Sequence, residues 1–316
     1  MTAGQKLVGG MLDLEPQKQV GANTAAQKRA VYFHAATAFM RKLPRVPDAV
    51  FTNEPAQALA AQAPTSIVYC DTSSDMQEHS PGVSPHLLAR YVTIRQDDEI
   101  SMALRVSGMI FYVIRGNGRV SQDGEHVNWH EGDVFILPGG EDAVLSAGDQ
   151  GAVLWAVGDE PFMAFQGVQP ERSAQVVRTH IVHYPAGEIA RQLDLIYSID
   201  QEASTAARAL MFSSDEQAES RNILPTLTLA LNSLEPGTTQ RSHRHNAVAV
   251  TLIIQGEGCF SDVDGANKPW QQWATTITPP QAVHSHTNTG SNRALFLIVQ
   301  DGGLYSHARA TGFAFA

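Results

Sequence analysis

The chain has 316 residues, enough for two ordinary domains or one large one, and its 43% hydrophobic and 17% charged content is a globular balance that excludes disorder. A formal net charge of −10 argues against nucleic acid as the main partner, because phosphate binding needs a basic face; a small anionic substrate remains open. Two cysteines, Cys70 and Cys259, cannot build a disulfide framework. The N-terminal stretch lacks the apolar run of a signal peptide, and no stretch is long and apolar enough to span a bilayer. A cytoplasmic protein without a membrane partner is expected.

Residues 1–64 are rich in Ala, Gln and Lys, with apolar residues at helical spacing around Val31 to Leu43. They predict a helical arm that packs on a neighbouring domain or subunit and so point to a homo-oligomer. From Ser66 the texture becomes β, as short Val/Ile/Phe/Tyr runs alternate with Gly, Asp and Asn turns. Phe111–Ile114 leads to Gly116-Asn-Gly118, Val134–Leu137 leads to Pro138-Gly-Gly140, and Ala152–Val157 follows. Short strands at regular spacing predict a sandwich or barrel. Residues 166–220 are mixed, with a strand expected near Thr179–Tyr184 and a helix over Glu188–Tyr197. The β texture returns by about Leu224 and runs to about Val299.

The second β region repeats the first. Phe111-Tyr-Val-Ile-Arg-Gly-Asn-Gly118 aligns with Thr251-Leu-Ile-Ile-Gln-Gly-Glu-Gly258, Gly124 aligns with Gly265 after one extra residue, and Leu137-Pro138 aligns with Thr278-Pro279. A register held over several landmarks implies two copies of one supersecondary unit. The expected division is 1–64 helical arm, 65–165 first β domain, 166–220 linker with a strand and a helix, and 221–316 second β domain.

The chemistry concentrates in the second copy. Alternation in a strand puts His243 and His245 on one face, and His284 on a neighbouring strand supplies a third imidazole. Three imidazoles at one point suit Fe, Zn, Cu or Ni rather than Mg or Ca. His286, two beyond His284, faces the same way and is a candidate hydrogen-bond donor or acid/base. Asp301 follows the last strand and is a candidate carboxylate that orients a ligand histidine. Arg241 and Arg293 are candidate anion anchors.

These residues carry a resemblance to the cupin superfamily in its two-domain form. The first cupin motif is Gly, five residues, His-x-His, three or four residues, Glu, six residues, Gly. Here it reads Gly237, His243, His245, Ala249, Gly256. The second motif is Gly, five residues, Pro-x-Gly, two residues, His, three residues, Asn, and here it reads Trp273, Pro279, Gln281, His284, Asn288. The departures are Ala249, Trp273 and Gln281. Counting from Gly116 and Pro138-x-Gly140, the first copy carries Ala103, Arg105, Met109 and Ala143 at the ligand positions, so it is expected to bind no metal there, and Arg105 is expected to point into its cavity.

The resemblance implies an all-β protein of two jelly-roll (double-stranded β-helix) cupin domains with a helical arm. Pro225–Gly237, His243–Ala249 and Gly256–Gly258 further resemble gentisate 1,2-dioxygenase and its salicylate- and hydroxynaphthoate-cleaving relatives. In those enzymes the iron lies in the first cupin, with an Arg six residues after the second ligand His; here the histidines lie in the second, and that position is Thr251. The likeness implies an Fe(II)-dependent ring-cleaving dioxygenase, with Mn, Ni or Zn as alternative metals, dioxygen as co-substrate, and a small aromatic acid bearing a hydroxyl beside its carboxylate as substrate. The metal ligands would be His243, His245 and His284, with His286 and Asp301 as catalytic candidates. The alternatives are another metal-dependent cupin enzyme (diketone dioxygenase, isomerase or decarboxylase) and a non-enzymatic ligand-binding cupin.

Overall fold

The computed structural model describes residues 10–39, 42–171, 179–199 and 208–316. The chain divides into two compact units, 1–44 and 45–316. In the first, a two-stranded ribbon pairs Gln17–Lys18 with Val31–Tyr32, and short helices cover Ala25–Arg29 and Ala35–Ala38. Thr24 and Gln27 close a reciprocal cap on the first helix. The helical arm is therefore a set of short pieces, completed in the second unit by the helix Asn53–Ala58. The helical spacing over Val31–Leu43 yields one turn, because the β-branched and aromatic pair Val31–Tyr32 is taken into the ribbon.

The second unit holds two β-barrels. The first is an eight-stranded sheet centred on Gly108–Gln122, paired with Asp142–Gly158, Glu125–His130 and Val134–Pro138; Leu88–Ile94, Ser66–Cys70, Glu99–Ala103 and Val182–Tyr184 complete it. Successive residues of its central strand serve different cores. Met109, Phe111 and Val113 fill the barrel interior, while Ile110, Tyr112 and Ile114 join the cluster shared with the second barrel. A strand buried on both faces reads as a continuous apolar run rather than an alternation. Helix Ala186–Tyr197 follows Val182–Tyr184 and buries Ile189 and Leu193.

The second barrel is made of two sheets. One runs Arg208–Phe212, Thr228–Leu234, Ala294–Gln300, Ala249–Gln255, Thr275–Thr278 and Val50–Phe51, so a strand from before the first barrel edges the second. The other runs Ala266–Pro269, Cys259–Val263, His284–Asn288, His243–His245 and Phe313–Phe315. The barrels meet at Thr275, whose hydroxyl accepts from Trp155 Nε1 at 2.9 Å and lies 2.7 Å from the Tyr91 hydroxyl. Among the described residues no helix is long and apolar enough to cross a membrane.

The repeat is visible in backbone detail. Asp123-Gly124 and Asp264-Gly265 both take left-handed conformations (φ 49°/79° and 48°/83°) in two-residue hairpins. Gly132 and Gly140 of the first copy are also left-handed, at φ 84° and 92°. Their counterparts in the second copy, Trp273 and Gln281, keep that conformation at φ 66° and 67° without being glycine.

The first barrel corrects one expectation. The residues facing its interior are Met102 and Leu104, one position earlier than counted; Ala103 and Arg105 are exposed. Met102 pairs with Ala143 as His243 pairs with His284. Arg105 therefore faces solvent and not a cavity, and Met102, Leu104, Met109 and Ala143 pack in the apolar core.

Candidate metal centre

The second barrel encloses a cavity of about 470 Å³. His243 and His245 line it from one strand and His284 from its neighbour. One nitrogen from each ring falls within 4.8 Å of the others. Ring centroids lie 4.3 Å apart for His243–His284, 4.8 Å for His245–His284 and 5.9 Å for His243–His245. Among the described residues this is the one such cluster.

Each ring is fixed in the same way. Nδ1 of His243 donates to the carbonyl of Arg241 at 2.9 Å, Nδ1 of His245 to that of Ala247 at 2.8 Å, and Nδ1 of His284 to that of Ala282 at 2.9 Å. A carbonyl only accepts, so Nδ1 carries the hydrogen in all three and Nε2 keeps its lone pair. Burial lowers the pKa of all three imidazoles, that of His284 to about 3, so they are neutral at pH 7. Neutral imidazoles with Nε2 lone pairs converging on a buried point form a nitrogen donor set that fits a transition-metal ion.

His286 is set the opposite way. Its Nδ1 lies 2.8 Å from the Ser261 hydroxyl, which accepts from Trp270 Nε1 at 2.7 Å. If Ser261 accepted from both rings, its own buried hydrogen would have no acceptor among the described hydrogen bonds. The hydroxyl therefore donates to Nδ1, and the imidazole carries its hydrogen on Nε2. Burial, first, and then the neighbouring imidazoles push its pKa down to about 3. His286 lines the cavity, so it presents a neutral N–H donor beside three neutral N acceptors.

Other expected site residues are placed elsewhere. Asp301 is buried but bonds to the Val248 N–H at 2.9 Å and to His86 Nδ1 at 2.7 Å. Its expected task of orienting a ligand histidine is done by backbone carbonyls, because the Nδ1 atoms face their own strand ends. Arg293 pairs with Glu235 at 3.2 Å and stacks on Tyr197; Arg241 stacks on Phe315; neither lines the cavity. Asn288 is fully buried and ties three backbone groups, at Leu234, Gly290 and Asn292.

Sequence reasoning missed Asn232, Gln240, Ser261, Gln300 and Phe313. Asn232 and Gln240 are buried cavity residues, and the Gln240 Oε1 has no hydrogen-bond partner among the described residues. Phe313 lies 5.1 Å from the His243 ring. The alternation of each strand held the signal for Asn232, Ser261 and Gln300, but a polar residue on an inward face gains meaning only once the cavity is known.

Residues 230–300 match the family model described as cupin domain. Proteins similar to this chain include a gentisate 1,2-dioxygenase from Ralstonia sp, 36% identical over 23% of this chain, and another from Streptomyces sp, 33% identical over 29%. A 5-nitrosalicylic acid 1,2-dioxygenase from Bradyrhizobium sp is 30% identical over 28%. The alignments span 21%, 25% and 42% of those relatives' lengths. In structure, the salicylate 1,2-dioxygenase from Pseudaminobacter salicylatoxidans superposes with a TM-score of 0.72 over 87% of this chain and 90% of its own, at 13% identity. The likeness therefore covers both barrels, and this chain shares the fold of that enzyme.

Proposed function

We propose that the protein is a metal-dependent dioxygenase that opens the ring of an aromatic acid carrying a hydroxyl beside its carboxylate. The observation that carries this reading is the convergence of three Nε2 lone pairs in a cavity of ring-sized volume. The relatives' names, gentisate and 5-nitrosalicylic acid 1,2-dioxygenase, describe acids of this class. His243, His245 and His284 hold the ion, Fe(II) by this reading. Bound there, it would supply Lewis acidity toward the substrate oxygens and one-electron chemistry with dioxygen.

The chain's own residues then do three things. The three imidazoles would hold the ion within the cavity, and Ala249, which lines the same cavity, brings no carboxylate to it. The Nε2–H of His286 donates to a substrate oxygen and, being neutral, holds that hydrogen bond without adding charge. Ala230, Ala249, Ile298 and Phe313 offer apolar surface to the ring.

Electrostatics limits the substrate. Among the described residues no Lys or Arg lines the cavity, and Thr251 lines it at the position where the resemblance implies an Arg. The carboxylate charge is therefore matched by the ion rather than by a guanidinium. Acids whose carboxylate joins the chelate fit; those needing a second anion pocket do not.

The test is metal analysis after reconstitution with ferrous salt, together with oxygen uptake on a panel of hydroxylated aromatic acids. Iron bound with oxygen consumed and ring absorbance lost is the expected result. Binding of another metal with no oxygen uptake, or no metal binding, overturns the reading.

A further inference from the structure

The cavity wall beside the histidines carries an acceptor with nothing to accept. Gln240 lines the cavity, is 8% exposed, and its Oε1 has no hydrogen-bond partner among the described residues. Buried amide oxygens are ordinarily paired, so one left open on a cavity residue marks the place of a ligand hydrogen. The groups around it are committed elsewhere. The Gln240 N–H donates to the His286 carbonyl at 2.8 Å, Nδ1 of His286 is held by Ser261, and the hydroxyls of Thr239 and Thr287 lie 3.1 Å apart.

Strand pairing fixes where Gln240 lies relative to the metal centre. Thr239 bridges Thr287, which places Gln240 across from His286 as His243 lies across from His284. The two pairs form successive inward rows, two residues apart on the strand His284–Asn288. Two residues along a strand advance about 6.7 Å, the reach from a chelating oxygen pair across a benzene ring to a substituent on its far edge. The cavity extends in that direction, because Gln240 and His286 line it together with the three ligand histidines. A ring chelated at the histidine row and lying along the strand brings its far edge to the Gln240 row.

We propose that Gln240 is a specificity-determining residue, whose Oε1 accepts a hydrogen bond from a hydroxyl or amino group on the ring edge away from the chelating pair. Resting on the aromatic-acid reading of the site, this assignment deepens it: the substrate is an ortho-hydroxy acid that carries a hydrogen-donating group on its far edge. An acid without such a group leaves the buried oxygen unpaired, and that penalty separates acids of equal size. Gln240 is neutral, so it makes no second anion pocket. Chelation decides which acids bind, and Gln240 grades those that do.

The test is equilibrium binding to Co²⁺-loaded full-length protein without dioxygen, read by titration calorimetry so that no turnover enters. The ligands are salicylates with hydroxyl or fluorine para to the carboxylate or para to the hydroxyl. Fluorine fills the place of the hydroxyl but has no hydrogen to give. The native protein should bind at least one hydroxyl acid at least about tenfold more tightly than its fluorine counterpart, and Gln240→Leu should bring that ratio to within about threefold. A merely structural Gln240 would shift both affinities by the same factor and keep the ratio. A native ratio below about tenfold, or a ratio above about threefold in Q240L, overturns the proposal. Folding is checked by circular dichroism; should Q240L not fold, Gln240→Met, closer in shape, takes its place. If no acid binds the metal-loaded protein more tightly than the metal-free one, the chelation reading itself fails and takes the proposal with it. Metal-dependent binding with equal affinities for the paired acids fails Gln240 alone.

Discussion

Replacing Ser261 with Ala tests the assignment of the hydrogen on His286. The hydroxyl links Trp270 Nε1 to His286 Nδ1 at 2.7 and 2.8 Å, and both Ser261 and His286 are about 6% exposed. Its removal loses two hydrogen bonds and leaves the indole N–H and the Nδ1 lone pair without partners. An unsatisfied buried group costs about 1–3 kcal/mol, so S261A should be destabilised by about 2 kcal/mol. For cooperative unfolding of a chain of this length, Tm should fall by about 3 °C. The decisive readout is the ¹⁵N spectrum of histidine-labelled, metal-free protein. In the native chain the His286 signals should show hydrogen on Nε2; in S261A they should show a mixture of tautomers. Oxygen uptake in the ferrous-loaded variant should drop by about tenfold, as the donor is present only part of the time. A native His286 with its hydrogen on Nδ1, or an S261A protein as stable as the native one, would refute the reasoning.

Other perturbations follow from the same geometry. His243→Ala and His284→Ala should lose bound metal, by elemental analysis, while keeping the native circular dichroism; retained iron in either would sink the ligand assignment. Gln281 holds φ 67° where its counterpart Gly140 holds 92°. Gln281→Gly should relieve left-handed strain and raise stability by about 1 kcal/mol, read as a higher denaturant midpoint. Metal-free stability should depend on pH through His284 and His286, whose folded pKa values near 3 lie below the ordinary 6.5. The unfolded chain then binds more protons between those values, so this stability is complete above about pH 6.5 and lost as pH falls toward 3. The loss is about 2 kcal/mol per imidazole by pH 5, checked by urea unfolding of native protein against His286→Leu, which should show the weaker dependence.

The two barrels were legible because their signals are local. Alternation, the paired Asp-Gly and Gly-x-Gly turns, and the His-x-His spacing each depend on neighbouring residues. The one-residue error in the first barrel has a physical cause. The strand Glu99–Ala103 ends before Gly108–Gln122 begins, and counting back across that loop assumes a loop length the second copy does not share. The helical spacing around Val31 to Leu43 misleads because spacing alone cannot show that Val31–Tyr32 finds a strand partner. Ser261 and Gln300 stayed hidden for a different reason: each acts on a histidine 25 or 55 positions away, across strand pairs that only the fold defines.

The centre is governed by where each imidazole keeps its hydrogen. His284 and His286 sit two residues apart on one strand, share a face, and both have pKa values near 3. They differ in what lies behind Nδ1. A carbonyl behind His284 makes Nε2 an electron-pair donor, suited to a cation. A hydroxyl already accepting from an indole lies behind His286 and makes its Nε2 a hydrogen-bond donor, suited to an anionic or carbonyl oxygen. One strand would thus meet the opposite needs of a metal-bound oxygen acid, the proposed substrate, without placing a charged side chain in the cavity, among the described residues. Ala249 and Thr251 bring neither a carboxylate nor a guanidinium to the cavity, so under the proposed function an ion's charge would be the dominant attraction for a substrate anion. Selectivity in this protein should therefore follow the geometry of chelation more closely than the substituents on the rest of the ring.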